Sequence, residues 1–85
     1  MIDSRNKRVQ IYYFAALREL RGISKETIDT TTITAEQLYD ELAATHNFKF
    51  NKQLIKVAIN DSFVLWDTAL NPEDIVVFIP PVAGG

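Results

Sequence analysis

The run Ile75-Val76-Val77-Phe78-Ile79 is the feature that most constrains this chain. In an extended strand, alternate side chains point to opposite faces. Ile75, Val77 and Ile79 therefore share one face, and Val76 and Phe78 share the other. Both faces are apolar, the pattern of a strand inside a sheet rather than at its edge. Pro80-Pro81 ends the strand, because neither residue can donate to a ladder. Elsewhere the chain offers one main amphipathic helix, and one helix covers one face of a small sheet. The other face keeps apolar side chains without internal cover, and such a patch marks a partner surface. A loop at residues 48–53 folding over that face is the competing arrangement.

The remaining elements are legible around this strand. Residues 9–14 alternate and are rich in β-branched and aromatic types, which predicts a first strand. Val9, Ile11 and Tyr13 fall on one face; Gln10, Tyr12 and Phe14 fall on the other. Residues 15–21 switch to helix formers, with Gly22 as a left-handed stop. Residues 26–33 are threonine-rich and predict a polar edge strand. Thr34-Ala35-Glu36-Gln37 matches a capping box for the main helix. That helix places Ala35, Leu38, Tyr39 and Leu42 on one face and stops near His46-Asn47. Residues 54–59 and 63–66 predict two strands joined by a turn at Asn60-Asp61-Ser62. Residues 67–74 connect to the last strand, with Pro72 preset for a turn. The expected organisation is a polar extension over residues 1–8, one α+β domain over residues 9–80, and a flexible tail over residues 81–85. The expected sheet is mixed, with about five strands, and carries the main helix and a short helix on one face.

A search for self-contained chemistry finds little. With 85 residues there is room for one small domain, and 47% hydrophobic residues supply a core. The net charge of −2 disfavours a nucleic-acid partner, so Arg5-Asn6-Lys7-Arg8 reads as a solvated cluster. No cysteine is present, which excludes disulfides and thiolate sites. His46 is the single histidine, too little for a metal site. Ser4, Ser24 and Ser62 lack a nucleophile motif. Asp40/Glu41 and Glu73/Asp74 are sequence neighbours whose side chains diverge. Gly22 is the one internal glycine, so no phosphate-binding loop is available. No apolar run is long enough for a membrane span, and the expected location is cytoplasmic. What remains is the ending Val82-Ala83-Gly84-Gly85, a slim stem whose expected reactive group is the Gly85 α-carboxylate. The plain alternative is a frayed end.

Three segments carry a resemblance. Tyr13-Phe14-Ala15-Ala16-Leu17-Arg18-Glu19-Leu20-Arg21-Gly22, Val57-Ala58-Ile59-Asn60 and Phe78-Ile79-Pro80-Pro81-Val82-Ala83-Gly84-Gly85 resemble the MoaD/ThiS sulfur-carrier family. Within it, they are most similar to the branch of molybdopterin synthase small subunits. The resemblance spans roughly residues 9–85 and implies the ubiquitin-like β-grasp fold.

It also implies a mechanism. An adenylyltransferase related to ubiquitin-activating enzymes uses ATP and magnesium to convert the Gly85 carboxylate to an acyl-adenylate. A protein persulfide then delivers sulfur, giving a thiocarboxylate. The tail, Pro80-Pro81-Val82-Ala83-Gly84-Gly85, threads into the large subunit of molybdopterin synthase. There its sulfur passes to cyclic pyranopterin monophosphate, two carriers serving in turn for each molybdopterin. The chain itself would bind no cofactor or metal and would be non-catalytic alone. Partner-facing positions implied by the resemblance are Phe14, Phe63 and Ile79, with Arg18 available for an acidic partner residue. Phe14 and Ile79 also follow from strand alternation.

The chain departs from the family pattern in three places, one of them the extension over residues 1–8 beyond the usual start. Ile79 stands where Phe is common, and Asn71-Pro72-Glu73-Asp74 replaces a turn containing Gly-Asp. Competing readings are a sulfur carrier for thiamine or another pathway, a ubiquitin-like protein modifier, and an interaction module with an inert tail.

Overall fold

The computed structural model describes residues 6–81. They form β1 (Lys7–Tyr13), α1 (Ala15–Arg21), β2 (Lys25–Thr30), α2 (Ala35–His46), β3 (Lys56–Ile59), β4 (Ser62–Val64) and β5 (Ile75–Ile79). A single 3-10 turn, Lys52–Leu54, precedes β3. The strands make one sheet in the order β2-β1-β5-β3-β4. β5 lies parallel to β1 and antiparallel to β3, so it occupies the centre as its two apolar faces require. With both helices on one side, this is the expected β-grasp topology.

The helix termini follow their local chemistry. Gly22 closes α1 at φ 79°, and its N–H donates to the Arg18 carbonyl. Thr34 caps α2 by accepting from the Gln37 N–H at 3.2 Å. Gln37 Oε1 reaches back to the Ile33 N–H at 2.9 Å, one residue earlier than in the usual capping box. Asn47 ends α2 at φ 60°. The β3–β4 hairpin turns on Asn60 and Asp61, at φ 52° and 73°. Two left-handed residues in a two-residue loop make the type I′ turn that suits strand twist.

The core lies between the sheet and the helices. Val9, Ile11 and Tyr13 of β1 and Val76 and Phe78 of β5 are buried there with Leu17, Leu38, Tyr39 and Leu42. Tyr39 meets Phe78 edge-on at 5.2 Å and Trp66 at 5.5 Å, and Trp66 stacks on Phe78 at 6.1 Å. Phe48 is buried against Tyr13 on this same side. The 48–53 loop thus fills the core instead of folding over the opposite face.

Several strand boundaries differ from expectation, each for a local reason. β1 begins at Lys7 rather than residue 9, since Lys7 pairs with Thr30 and Arg8 with Asp29. The expected solvated cluster is in part structural: Lys7 Nζ donates to the Thr32 carbonyl at 2.7 Å. β2 stops at Thr30 because the Thr30 hydroxyl accepts the Thr32 N–H, replacing a ladder bond. β4 stops at Val64. Beyond it the Trp66 carbonyl accepts from the Glu36 N–H at the start of α2.

The turn before β5 carries an L-residue in a left-handed conformation. The Asp74 N–H donates to the Asn71 carbonyl, Pro72 occupies the second position, and Glu73 has φ 69°. This is a type II arrangement, which favours glycine at the third position. Glu73→Gly removes a left-handed cost of about 1–2 kcal/mol. It adds unfolded-state freedom worth about 0.4–1 kcal/mol. The expected result is a net gain of about 0.5–1 kcal/mol, read as a higher urea midpoint with an unchanged slope. A lower midpoint refutes the turn assignment.

Candidate functional site

The strand register defines the sheet face turned away from the helices. Tyr12 lies opposite Lys25 on one side and Val77 on the other. Val77 lies opposite Ala58, and Ala58 opposite Phe63. One row, Lys25–Tyr12–Val77–Ala58–Phe63, therefore crosses all five strands on a single face. Ile75 shares this face beside Gln10, and Ile79 shares it beside Lys56. Val76 and Phe78, the intervening residues of β5, are fully buried on the helix side. β5 thus divides its apolar side chains between a filled core and an open face.

The parallel pairing of β1 and β5 decides where the open face meets the end of the chain. Tyr13 lies opposite Phe78, so the next residues, Phe14 and Ile79, emerge at the same end of the sheet. Phe14 keeps extended geometry, φ −124° and ψ 152°, and turns to the side opposite the buried Tyr13. It is 47% exposed, and Phe63 is 71% exposed. Ile79 is half-buried and Pro80 is buried, so the chain leaves a fixed point before the exposed Pro81. Residues Val82, Ala83, Gly84 and Gly85 lie outside the described residues. Arg18 is exposed on α1, one turn after Phe14, with its N–H directed at the Phe14 carbonyl at 3.4 Å.

Sequence reasoning overlooked Leu65 and Ala58 on this side. Leu65 is 75% exposed and lines a groove of about 720 Å³ with Ile55, Lys56, Val57, Phe63 and Trp66. Its signal was present, since Leu65 lies two residues after Phe63 and shares its face by alternation. Ala58 is small and inconspicuous in the sequence, and only the register reveals its place in the row between Val77 and Phe63.

A polar network fixes the neighbouring elements. Arg21 grips the Glu26 carboxylate through two bonds, Nε to Oε2 at 3.0 Å and Nη2 to Oε1 at 2.7 Å. The Tyr13 hydroxyl donates to the same Oε2. Burial pushes the Tyr13 hydroxyl well above its ordinary value, and the adjacent Glu26 carboxylate adds to this. Burial by itself would raise Glu26. The hydrogen bonds from Arg21 and Tyr13, with the Arg21 charge, outweigh it and hold Glu26 below its ordinary 4.5. A carboxylate with a depressed folded-state value stabilises the fold above its unfolded value, and this is lost as pH falls through the folded one. The stability gap between the native chain and Glu26→Gln is therefore expected to be full at neutral pH. It should close below about pH 4, as urea titrations across pH would show. A gap independent of pH would refute the charge assignment.

Catalytic groupings are scarce here. Among the described residues no cluster of three or more His, Cys, Asp or Glu side chains can hold a metal ion. None of the described helices is long and apolar enough to cross a membrane. The arrangement is a binding face joined to an emerging chain end.

A five-stranded β-grasp sheet with an open apolar face and a C-terminal strand at its centre defines the class. The ThiS family pattern matches residues 11–85. The chain belongs to the ThiS family. The molybdopterin synthase sulfur carrier subunit of Homo sapiens is 34% identical over 83 residues, covering 92% of this chain and 94% of that protein. The protein of the same name from Haemophilus influenzae is 30% identical over 80 residues, covering 91% and 99%. Among solved structures, SAMP1 of Haloferax volcanii superposes with a TM-score of 0.74 at 22% identity, covering 92% of this chain and 99% of that one. This last likeness shows the shared ubiquitin-like fold.

Proposed function

We propose that this protein is a sulfur carrier and the small subunit of a molybdopterin synthase, with Gly85 as its reactive residue. The observation that carries the reading is near full-length similarity to two proteins named for that role, within a family match that runs through Gly85. The open face supports it. Phe14, Phe63 and Ile79 offer apolar docking positions, and Phe14 and Ile79 sit where the chain leaves the sheet.

In this reading the chain is non-catalytic alone and holds no cofactor. An adenylyltransferase using ATP and magnesium activates the Gly85 carboxylate, which is otherwise a poor electrophile. The terminal sulfur of a protein persulfide attacks the acyl carbon and displaces AMP, giving an acyl disulfide. A second thiol then cleaves its S–S bond, becoming a disulfide with the persulfide protein's sulfur and releasing the Gly85 thiocarboxylate. Splitting one difficult substitution into easier steps lowers each barrier. The large subunit next binds the open face and receives the tail, so that sulfur meets cyclic pyranopterin monophosphate at high effective concentration. Pro80 and Pro81 restrict φ and reduce the entropy lost on threading. Six extended residues from Pro80 reach roughly 20 Å at about 3.3–3.6 Å each. Pro80-Pro81 and the Phe14 segment favour the molybdopterin pathway over thiamine synthesis.

Intact mass spectrometry of the protein isolated from its own cells tests this. A mass shift of one oxygen-to-sulfur exchange at Gly85 is expected. Conjugates of the chain to lysines of other proteins, without that shift, would establish a modifier instead.

A further inference from the structure

The short helix α1 is weakly held by its own sequence. Seven residues are too few for a stable isolated helix. Its N-cap, Phe14, makes no side-chain capping bond, its first turn has no acidic residue, and Leu17 is its one buried side chain. Left-handed residues stand at both ends, Ala15 at φ 50° and Gly22 at φ 79°. Leu20 and Ile23 are 55% and 38% exposed and add little to its seat.

The Glu26 carboxylate supplies what this helix lacks. Glu26 lies opposite Ile11, so it points to the helix side of the sheet. Its two oxygens bind Arg21 in the last turn of α1 and Tyr13 just before Phe14. One carboxylate therefore brackets the segment from Phe14 to Arg21 at both ends. The pair is shielded, with Arg21 24% and Glu26 15% exposed, and its two-pronged geometry fixes orientation as well as distance.

We propose that Glu26 is a positioning residue, which through Arg21 and Tyr13 seats α1 and sets the presentation of Phe14 and Arg18 to the large subunit. The inference rests on the docking role proposed above for that sheet end.

Hydrogen exchange on the free full chain and binding to the large subunit test it together. In Glu26→Gln, exchange of the amides of residues 17–22 should rise about tenfold beyond the common increase that the loss of global stability gives the β5 amides. Binding to the large subunit should weaken about tenfold. Phe14→Ala should cost less affinity in the Glu26→Gln background than in the native one, because the two act as a unit. Arg21→Met, which leaves β2 unaltered, should reproduce all three results. Exchange in residues 17–22 that rises no more than that of β5, or an additive Phe14→Ala effect, overturns the proposal. A native chain that does not bind the large subunit overturns the docking role, while the exchange arm still decides whether Glu26 seats the helix.

Discussion

Gly84→Val is expected to abolish thiocarboxylate formation at Gly85 while the sheet remains folded. The two requirements separate cleanly. Folding is carried by β1, β5 and the core around Tyr39 and Phe78, and among the described residues the hydrophobic core cluster ends at Phe78. The thermal midpoint of the variant should match the native protein. The proposed chemistry makes a different demand, because in it the Gly85 carboxylate enters an activating centre. A branched side chain next to the reacting group widens the tail and removes the conformations open only to glycine. A displacement of about 1 Å at a reacting centre can cost about a hundredfold in rate. The expected loss is at least that large, measured as thiocarboxylate yield with the cognate activating enzyme. An added residue beyond Gly85 should act in the same way. Normal yield from either variant would remove Gly85 from the mechanism.

Phe63→Ala is the second large effect, and its direction follows from exposure. Phe63 is 71% exposed in the isolated chain, so folding buries little of it. Truncation should leave the urea midpoint almost unchanged. In a complex the same ring would leave water, and a buried aromatic anchor is worth about 2–4 kcal/mol. The dissociation constant for the large subunit should therefore rise by about thirty- to a thousandfold. Calorimetric titration measures this directly. Equal affinity of the variant and native chains would show that the Lys25–Tyr12–Val77–Ala58–Phe63 row is not the docking face.

Much of this fold was legible because its signals are local. Ile75–Ile79 has its expected boundaries, set by the Asn71–Asp74 turn before it and two prolines after it. The ends of α1 and α2 fall where Gly22, Thr34 and Asn47 place them. Alternation alone put Phe14 and Ile79 on the uncovered side. The missed features depend on distant residues. Trp66 leaves β4 to pack on Tyr39 and Phe78, which no window around residue 66 reveals. The Thr30 hydroxyl cuts β2 short by competing for the Thr32 N–H. Glu26 reads as one charge among many on an edge strand until α1 folds back and sets Arg21 against it. Phe63 stands out through family resemblance, whereas its neighbour Leu65 carries only the weaker signal of alternation, which the groove makes visible.

The central place of β5 has a mechanical consequence. In the proposed cycle the tail is drawn into one enzyme, withdrawn, and drawn into another, so tension runs along β5 from Pro80. That strand is bonded to β1 on one side and β3 on the other. A pull along its axis loads both ladders in shear, and many hydrogen bonds resist it together instead of peeling apart one by one. An edge strand pulled in the same direction would have one ladder to resist it instead of two. The carrier can therefore be tugged free of a tight channel without its own sheet coming undone.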